Sequence, residues 1–249
     1  MRGGRLSDIG SSSGNGKIDD KIWQSYSRVY DIMECIPFRL ELRQKYVAAM
    51  NGLELVLDNG CGTGLITQEL AANQERRIVG IDSSSEMLEK AKQRLSHLKN
   101  VRLYQADAQN LPYANCVFDG IICNMVLYLL NDPHAAISEM SRVLKPNGMV
   151  SITSPLRSLD VEVLIEATYD YFSSVDATLR SQGKSGLSSE EMHDLKCFID
   201  SNRELQKRIK NLYNISEVSE LLKEHKCNVV LQENAYLGQC FFVVAVKRG

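Results

Sequence analysis

Apolar positions along this chain follow two rhythms: short runs that suit buried strands, and longer stretches with three- and four-residue spacing that suit helices. Leu53, Leu55, Val56 and Leu57 predict a strand over 53–58, and Leu65-Ile66-Thr67-Gln68-Glu69-Leu70 opens a helix over 64–74. The alternation continues with strand 77–82, helix 84–97, strands 101–106 and 117–123, helix 132–144 and strand 148–154. Asp132 followed by Pro133 is an N-cap and first-turn signal for the helix carrying Ile137, Met140 and Val143. Near the C-terminus, Asn214-Ile215-Ser216-Glu217 reads as a capping box opening a helix to about His225. Strands follow at Cys227–Gln232 and Gln239–Lys247, and the run Phe241 to Val246 suits the interior of a sheet. This order predicts an α/β fold.

Two segments lie outside the alternation. From Ile22 to about Met50 the pattern is helical, broken near Pro37, with Trp23, Tyr26, Val29, Tyr30 and Met33 on one face. Residues 155–213 form an insertion that the sheet does not require. Leu164, Ile165, Tyr169, Phe172 and Val175 make one amphipathic helix, Gly183 and Gly186 bracket a turn, and Ser188 to Glu191 caps a second helix with Met192, Leu195, Phe198 and Ile199. The expected organisation is a tail over 1–19, a helical segment over 20–50, an α/β core over 51–154, a helical cap over 155–213, and the rest of the core over 214–249. The tail is rich in glycine and serine, without an apolar signal core.

The candidate chemistry centres on Val56-Leu57-Asp58-Asn59-Gly60-Cys61-Gly62-Thr63-Gly64. A strand ending in an acid meets a loop with glycine at alternate positions, so backbone N–H groups can approach a ligand closely. A dinucleotide fingerprint has the spacing G-x-G-x-x-G, whereas this loop is D-x-G-x-G-x-G. The carboxylate of Asp58 would repel a pyrophosphate and suits a ligand that carries an ammonium group, such as an amino acid moiety.

Composition narrows the rest. With 249 residues, 44% of them hydrophobic and 24% charged, the chain can bury a full doubly wound sheet. A net charge of −2 offers no global attraction to nucleic acid, which makes a nucleic-acid partner unlikely. The local basic group Arg203, Lys207, Arg208 and Lys210 reads equally as helix-end cations. Seven scattered cysteines without a C-x-x-C pair fit neither a disulfide framework nor a metal site and point to a reducing cytoplasm. No apolar run is long enough to span a membrane.

Taken with four further motifs in register, the glycine loop resembles that of the class I S-adenosylmethionine-dependent methyltransferases. Arg77-Ile78-Val79-Gly80-Ile81-Asp82-Ser83-Ser84-Ser85-Glu86-Met87-Leu88 resembles the second strand and helix start of that family. Val101 to Ala108 resembles the third strand, Phe118 to Asn124 the fourth, and Arg142 to Gly148 the turn into the fifth. The resemblance implies a doubly wound, mostly parallel sheet of Rossmann-like type with seven strands, the last of them antiparallel. It implies S-adenosyl-L-methionine as cofactor, held by Asp58, Gly60, Cys61, Gly62 and Gly64. Asp82 with Ser83 would take the ribose, Asp107 with Ala108 the adenine amino group, and Met87 the adenine face. Asn124 and Tyr30 would lie near the methionine end. Read singly, Asp82 and Asp107 also serve as helix caps or loop braces, and Met87 as core packing.

The resemblance implies methyl transfer to the O, N or C of a small-molecule metabolite, with no metal. The alternatives are a tRNA or protein methyltransferase, or a non-catalytic partner subunit. Many relatives carry a histidine near Leu127-Tyr128-Leu129; here Tyr128 stands in that place. Tyr128, His193 and Tyr169 are the candidate catalytic residues, with Glu166 and Tyr171 as further pocket residues.

Overall fold

The computed structural model describes residues 35–207 and 209–249. The expected tail, the helical segment before Cys35, and Tyr26 and Tyr30 lie outside the described residues. Seven strands form one sheet: β1 Leu55–Asn59, β2 Arg77–Asp82, β3 Val101–Gln105, β4 Phe118–Asn124, β5 Leu144–Pro155, β6 Cys227–Ala235 and β7 Cys240–Lys247. Their spatial order is β3-β2-β1-β4-β5-β7-β6, and only β7 runs against its neighbours. The seven-stranded α/β sheet with an antiparallel last strand is therefore present. The helices among the described residues are α1 Pro37–Ala49, α2 Leu65–Ala71, α3 Ser85–Leu95, α4 Pro133–Val143, α5 Val161–Ser181, α6 Ser189–Gln206 and α7 Ile215–Glu224.

Strand alternation divides the apolar side chains between two layers, because successive residues point to opposite faces. Leu57, Ile81, Ile121, Cys123, Val150, Ile152, Phe241 and Val243 face one cluster, covered by Ile137 and Met140 of α4 and Leu222 of α7. Val56, Ile78, Ile122, Phe242 and Val244 face the other, covered by Tyr46 of α1, Leu70 of α2 and Ala91 of α3. The amino end of the sheet is tied by polar side chains. Arg76, almost fully buried, donates to the carbonyls of Met50, Leu53 and Leu70, and Asp119 accepts from the Leu55 amide and from Lys145 Nζ. These bonds satisfy backbone groups that burial would otherwise leave unpaired.

Several boundaries, among them the end of β6 at Ala235 rather than 232, differ from the sequence reading, and two of the shifts have a local reason. Strand β5 begins at Leu144 rather than 148, because Leu144 pairs with Phe118 across a register shift before the regular ladder starts at Gly120 and Met149. Helix α2 ends at Ala71 rather than 74, before Asn73, which accepts from the Glu75 amide in a turn.

Helices α5 and α6 form a third apolar cluster, in which Val161, Ile165, Phe172, Leu195, Phe198 and Ile199 bury themselves with Ile36 and Met87. Ser188 and Glu191 make the expected capping box at the start of α6. Glu162 receives two bonds from Arg203, tying α5 to α6. The Arg39 guanidinium lies 5.1 Å from the centre of the Phe198 ring and so ties α6 to α1.

Candidate active site

At the carboxyl end of β1 the chain turns through three glycines, all with positive φ: Gly60 at 84°, Gly62 at 55° and Gly64 at 84°. Their surroundings separate their roles. A side chain on Gly60 would strike Val126, and one on Gly64 would strike Leu95 and Ala91, so both glycines permit close packing of the loop. A Cβ at Gly62 would meet nothing within 4 Å among the described residues. Gly62 is the glycine that opens onto free space, where a ligand can approach the backbone.

The loop is anchored to β2. The amides of Gly60 and Cys61 both donate to the Ile81 carbonyl at 2.8 Å. Asp82 holds the loop from the other side: Oδ2 accepts from the Gly62 amide at 2.9 Å and Oδ1 from the Ser84 amide at 2.9 Å. Ser84 in turn caps α3 by accepting from the Met87 amide. Burial raises the Asp82 carboxyl above its ordinary value, opposed by bonds from the Ser84, Gly62 and Ser83 backbone. Ser83 is exposed beside it, and its carbonyl accepts from Gln105 Nε2 at 2.8 Å.

Asp58 is 1% exposed and accepts from Thr67 Oγ1 at 2.6 Å. Burial is the main cause that pushes its carboxyl up to about 6; the Thr67 bond pulls it down and the Asp82 charge adds to the rise. The cleft beside it is lined by Asp58, Gly60, Cys61, Gly62, Thr63, Leu65, Ile66 and Asn124. Within that lining, Thr63 Oγ1 and Asn124 Oδ1 are buried with no hydrogen-bond partner among the described residues. A buried carboxylate and two orphaned oxygens around a glycine with open space above it fit a ligand carrying a cationic, hydrogen-bonding head. Burial also raises the Cys61 thiol well above its ordinary range, which makes Cys61 a poor nucleophile.

Asp107 follows β3 at the same end of the sheet. It is exposed, with Ala108 buried behind it. Met87 is 4% exposed and buried among side chains of α5 and α6. Of the candidate catalytic residues, Tyr128 is buried in the short 3-10 turn Leu127–Leu129 that follows β4. Tyr169 is 41% exposed, and His193 is exposed with its ring 3.4 Å from the Cys197 thiol; neither lines the cleft. Glu166 is exposed as well. No cluster of three or more His, Cys, Asp or Glu side chains suited to a metal occurs among the described residues.

Three contributors were not apparent in the sequence. Tyr46, fully buried, donates to Thr153 Oγ1 at 2.8 Å beneath the cleft. Thr67 holds the Asp58 carboxylate; its position on α2, nine residues after the acid, was the available signal. Gln109 bonds to Asp107 through both its amide nitrogens.

Residues 52–226 match the family model described as "Methyltransferase domain". A demethylmenaquinone methyltransferase of Desulfitobacterium hafniense is 36% identical over 139 residues, covering 51% of this chain and 54% of that protein. A malonyl-[acyl-carrier protein] O-methyltransferase of Legionella pneumophila is 32% identical over 130 residues, covering 52% of this chain and 45% of that protein. The match thus spans about half the length of these relatives. A Haloferax volcanii protein solved in complex with the Trm112 methyltransferase activator superposes with a TM-score of 0.65 at 16% identity, covering 94% of this chain and 100% of that one, which shows a shared fold. The glycine cradle, the acids closing β1 and β2 and the matched domain place this chain in the class I S-adenosylmethionine-dependent methyltransferase family.

Proposed function

We propose that this chain transfers a methyl group from S-adenosyl-L-methionine to an O, N or C atom of a small-molecule metabolite. The observation that carries the reading is the row of acids at the carboxyl ends of β1, β2 and β3, Asp58, Asp82 and Asp107, the first two of them beside Gly62. Open α/β sheets bind ligands at that edge. Asp58, Asn124 and the loop backbone would hold the methionine head, Asp82 and Ser83 the ribose, and Asp107 and Ala108 the adenine. When bound, S-adenosyl-L-methionine supplies an electrophilic methyl group. The protein's task is then to bind the acceptor in line with the S–CH₃ bond and to keep water out, and such alignment is worth roughly 7–11 kcal/mol in favourable cases.

A small acceptor is favoured by the apolar cluster that α5 and α6 build, by the net charge of −2, and by relatives such as the one named demethylmenaquinone methyltransferase. We place the reaction in the cytoplasm, where seven free cysteines would stay reduced. No described helix is long and apolar enough to cross a membrane.

The test is transfer of labelled methyl groups from S-adenosyl-L-methionine into a cell extract separated into small-molecule, RNA and protein fractions. Label in the small-molecule fraction is expected. Label confined to RNA or protein would refute the acceptor class, and cofactor binding without any transfer would leave a non-catalytic subunit.

A further inference from the structure

We propose that Gln109 is a positioning residue that fixes the Asp107 carboxylate for recognition of the adenine amino group. The proposal rests on the cofactor assignment above. Asp107 is exposed and lies just after β3, where nothing in the strand ladder holds its side chain. Left alone, an exposed aspartate samples several rotamers, and a ligand that needs one of them bears the cost of ordering it.

Gln109 removes that freedom with its backbone N–H and its side-chain amide. Its backbone N–H donates to Asp107 Oδ1 at 2.8 Å, and its Nε2 donates to Oδ1 at 3.1 Å and to Oδ2 at 3.3 Å. Its Oε1 accepts from the Asp132 backbone N–H at 2.7 Å. Asp132 is itself fixed, because its Oδ1 caps α4 by accepting from the Ala135 amide at 2.9 Å. Asp107 is thus tied through one amide side chain to the first turn of a helix packed into the core. A carboxylate has about four lone-pair sites. Gln109 fills Oδ1 twice and touches Oδ2 only at the long end of the range, so Oδ2 keeps a lone pair for an exocyclic amino proton. The arrangement orients the acid without consuming its capacity to accept.

A merely structural Gln109 would affect every ligand alike, whereas a positioning residue acts on the base. Dissociation constants are measured by calorimetry for S-adenosylhomocysteine and for S-inosylhomocysteine, which has a carbonyl where adenine has its amino group. The proteins are the full chain, Gln109→Met, Gln109→Ala, Asp107→Ala and the Gln109→Met/Asp107→Ala double variant. Unliganded melting temperatures identify any variant with a damaged fold. Gln109→Met is expected to weaken S-adenosylhomocysteine about three- to tenfold, the range of one net hydrogen bond, and to change S-inosylhomocysteine by less than about twofold. The double variant is expected to bind no more weakly than Asp107→Ala alone, because the two residues act as one unit.

Equal weakening of both ligands, or independent losses that add in the double variant, would overturn the proposal while leaving the cofactor assignment standing. If Asp107→Ala itself weakens both ligands alike, the adenine assignment of Asp107 falls and the role of Gln109 falls with it.

Discussion

Asp58→Asn should make the ligand-free protein more stable while weakening its grip on the cofactor. Asp58 is almost completely removed from solvent, and its single side-chain hydrogen bond comes from Thr67. Its carboxyl is raised from an ordinary 3.8 to about 6, chiefly by burial. At roughly 1.4 kcal/mol per tenfold change in proton affinity, this gap amounts to about 3 kcal/mol. The sign follows from linkage. A folded-state pKa above the unfolded one means that the native state binds the proton more tightly, so its stabilisation is complete below pH 3.8 and is lost as pH rises through about 6. Near neutral pH the empty protein therefore carries an ionised carboxylate at full cost.

Asparagine keeps an oxygen for Thr67 and removes the charge, although its new amide protons need partners in the cleft. The net gain expected at pH 7.5 is about 1–3 kcal/mol, or roughly 3–10 °C in melting temperature for a chain of this size. At pH 4.5 the difference should shrink to about a third of that. Melting curves of both proteins at the two pH values, with and without S-adenosylhomocysteine, test this directly. The ligand's ammonium should offset the carboxylate, so the parent protein gains more from ligand than the variant does. A variant less stable than the parent at pH 7.5, or a difference that does not change with pH, would refute the reasoning.

Asp82→Ala removes two backbone contacts as well as the proposed ribose acceptor, and cofactor affinity should fall by about 1.5–3 kcal/mol in calorimetry; unchanged affinity would take Asp82 out of the site. Gly62→Val and Gly60→Val should part company. The first fills open space and should abolish binding with a melting temperature nearer the parent's, whereas the second drives into Val126 and should damage the fold; equal melting temperatures would contradict that division. Phe172→Ala, in the cluster shared by α5 and α6, should cost about 3–5 kcal/mol locally and speed amide exchange in those helices more than in the sheet. Uniform exchange across the chain would mean that the two helices do not open as a unit.

Much of this architecture was legible because strands and glycines carry strong local signals. Strand β2 falls where the run Arg77 to Asp82 placed it, and the turn glycines adopt the positive φ that their spacing suggested. The start of β5 was not legible, because Leu144 joins the sheet through a pairing with Phe118 that is distant in sequence. The acids could be ranked only by their shared place at strand ends. Which glycine faces a ligand depends on Val126, Ala91 and Leu95, contributed by other elements. Asn59 shows the limit most plainly. Both atoms of its side-chain amide are buried without partners among the described residues, which no spacing in the sequence indicates. The link from Gln109 to Asp132 spans residues that no periodicity connects.

The position of β7 governs how this protein can be made. It follows β6 in the chain, yet it lies between β5 and β6 and supplies every ladder bond that holds β6 in the sheet. On a ribosome, β5 is complete at Pro155 and its neighbour begins only at Cys240, and throughout that interval Met149 to Pro155 presents an unpaired edge. The cofactor half, by contrast, has all its strands by Pro155 and can assemble early. The nascent chain thus passes through a stage with a formed binding edge and an open sheet, the stage at which mispairing with another chain competes with folding. Translation slowed or stopped before Cys240 would lengthen that exposure.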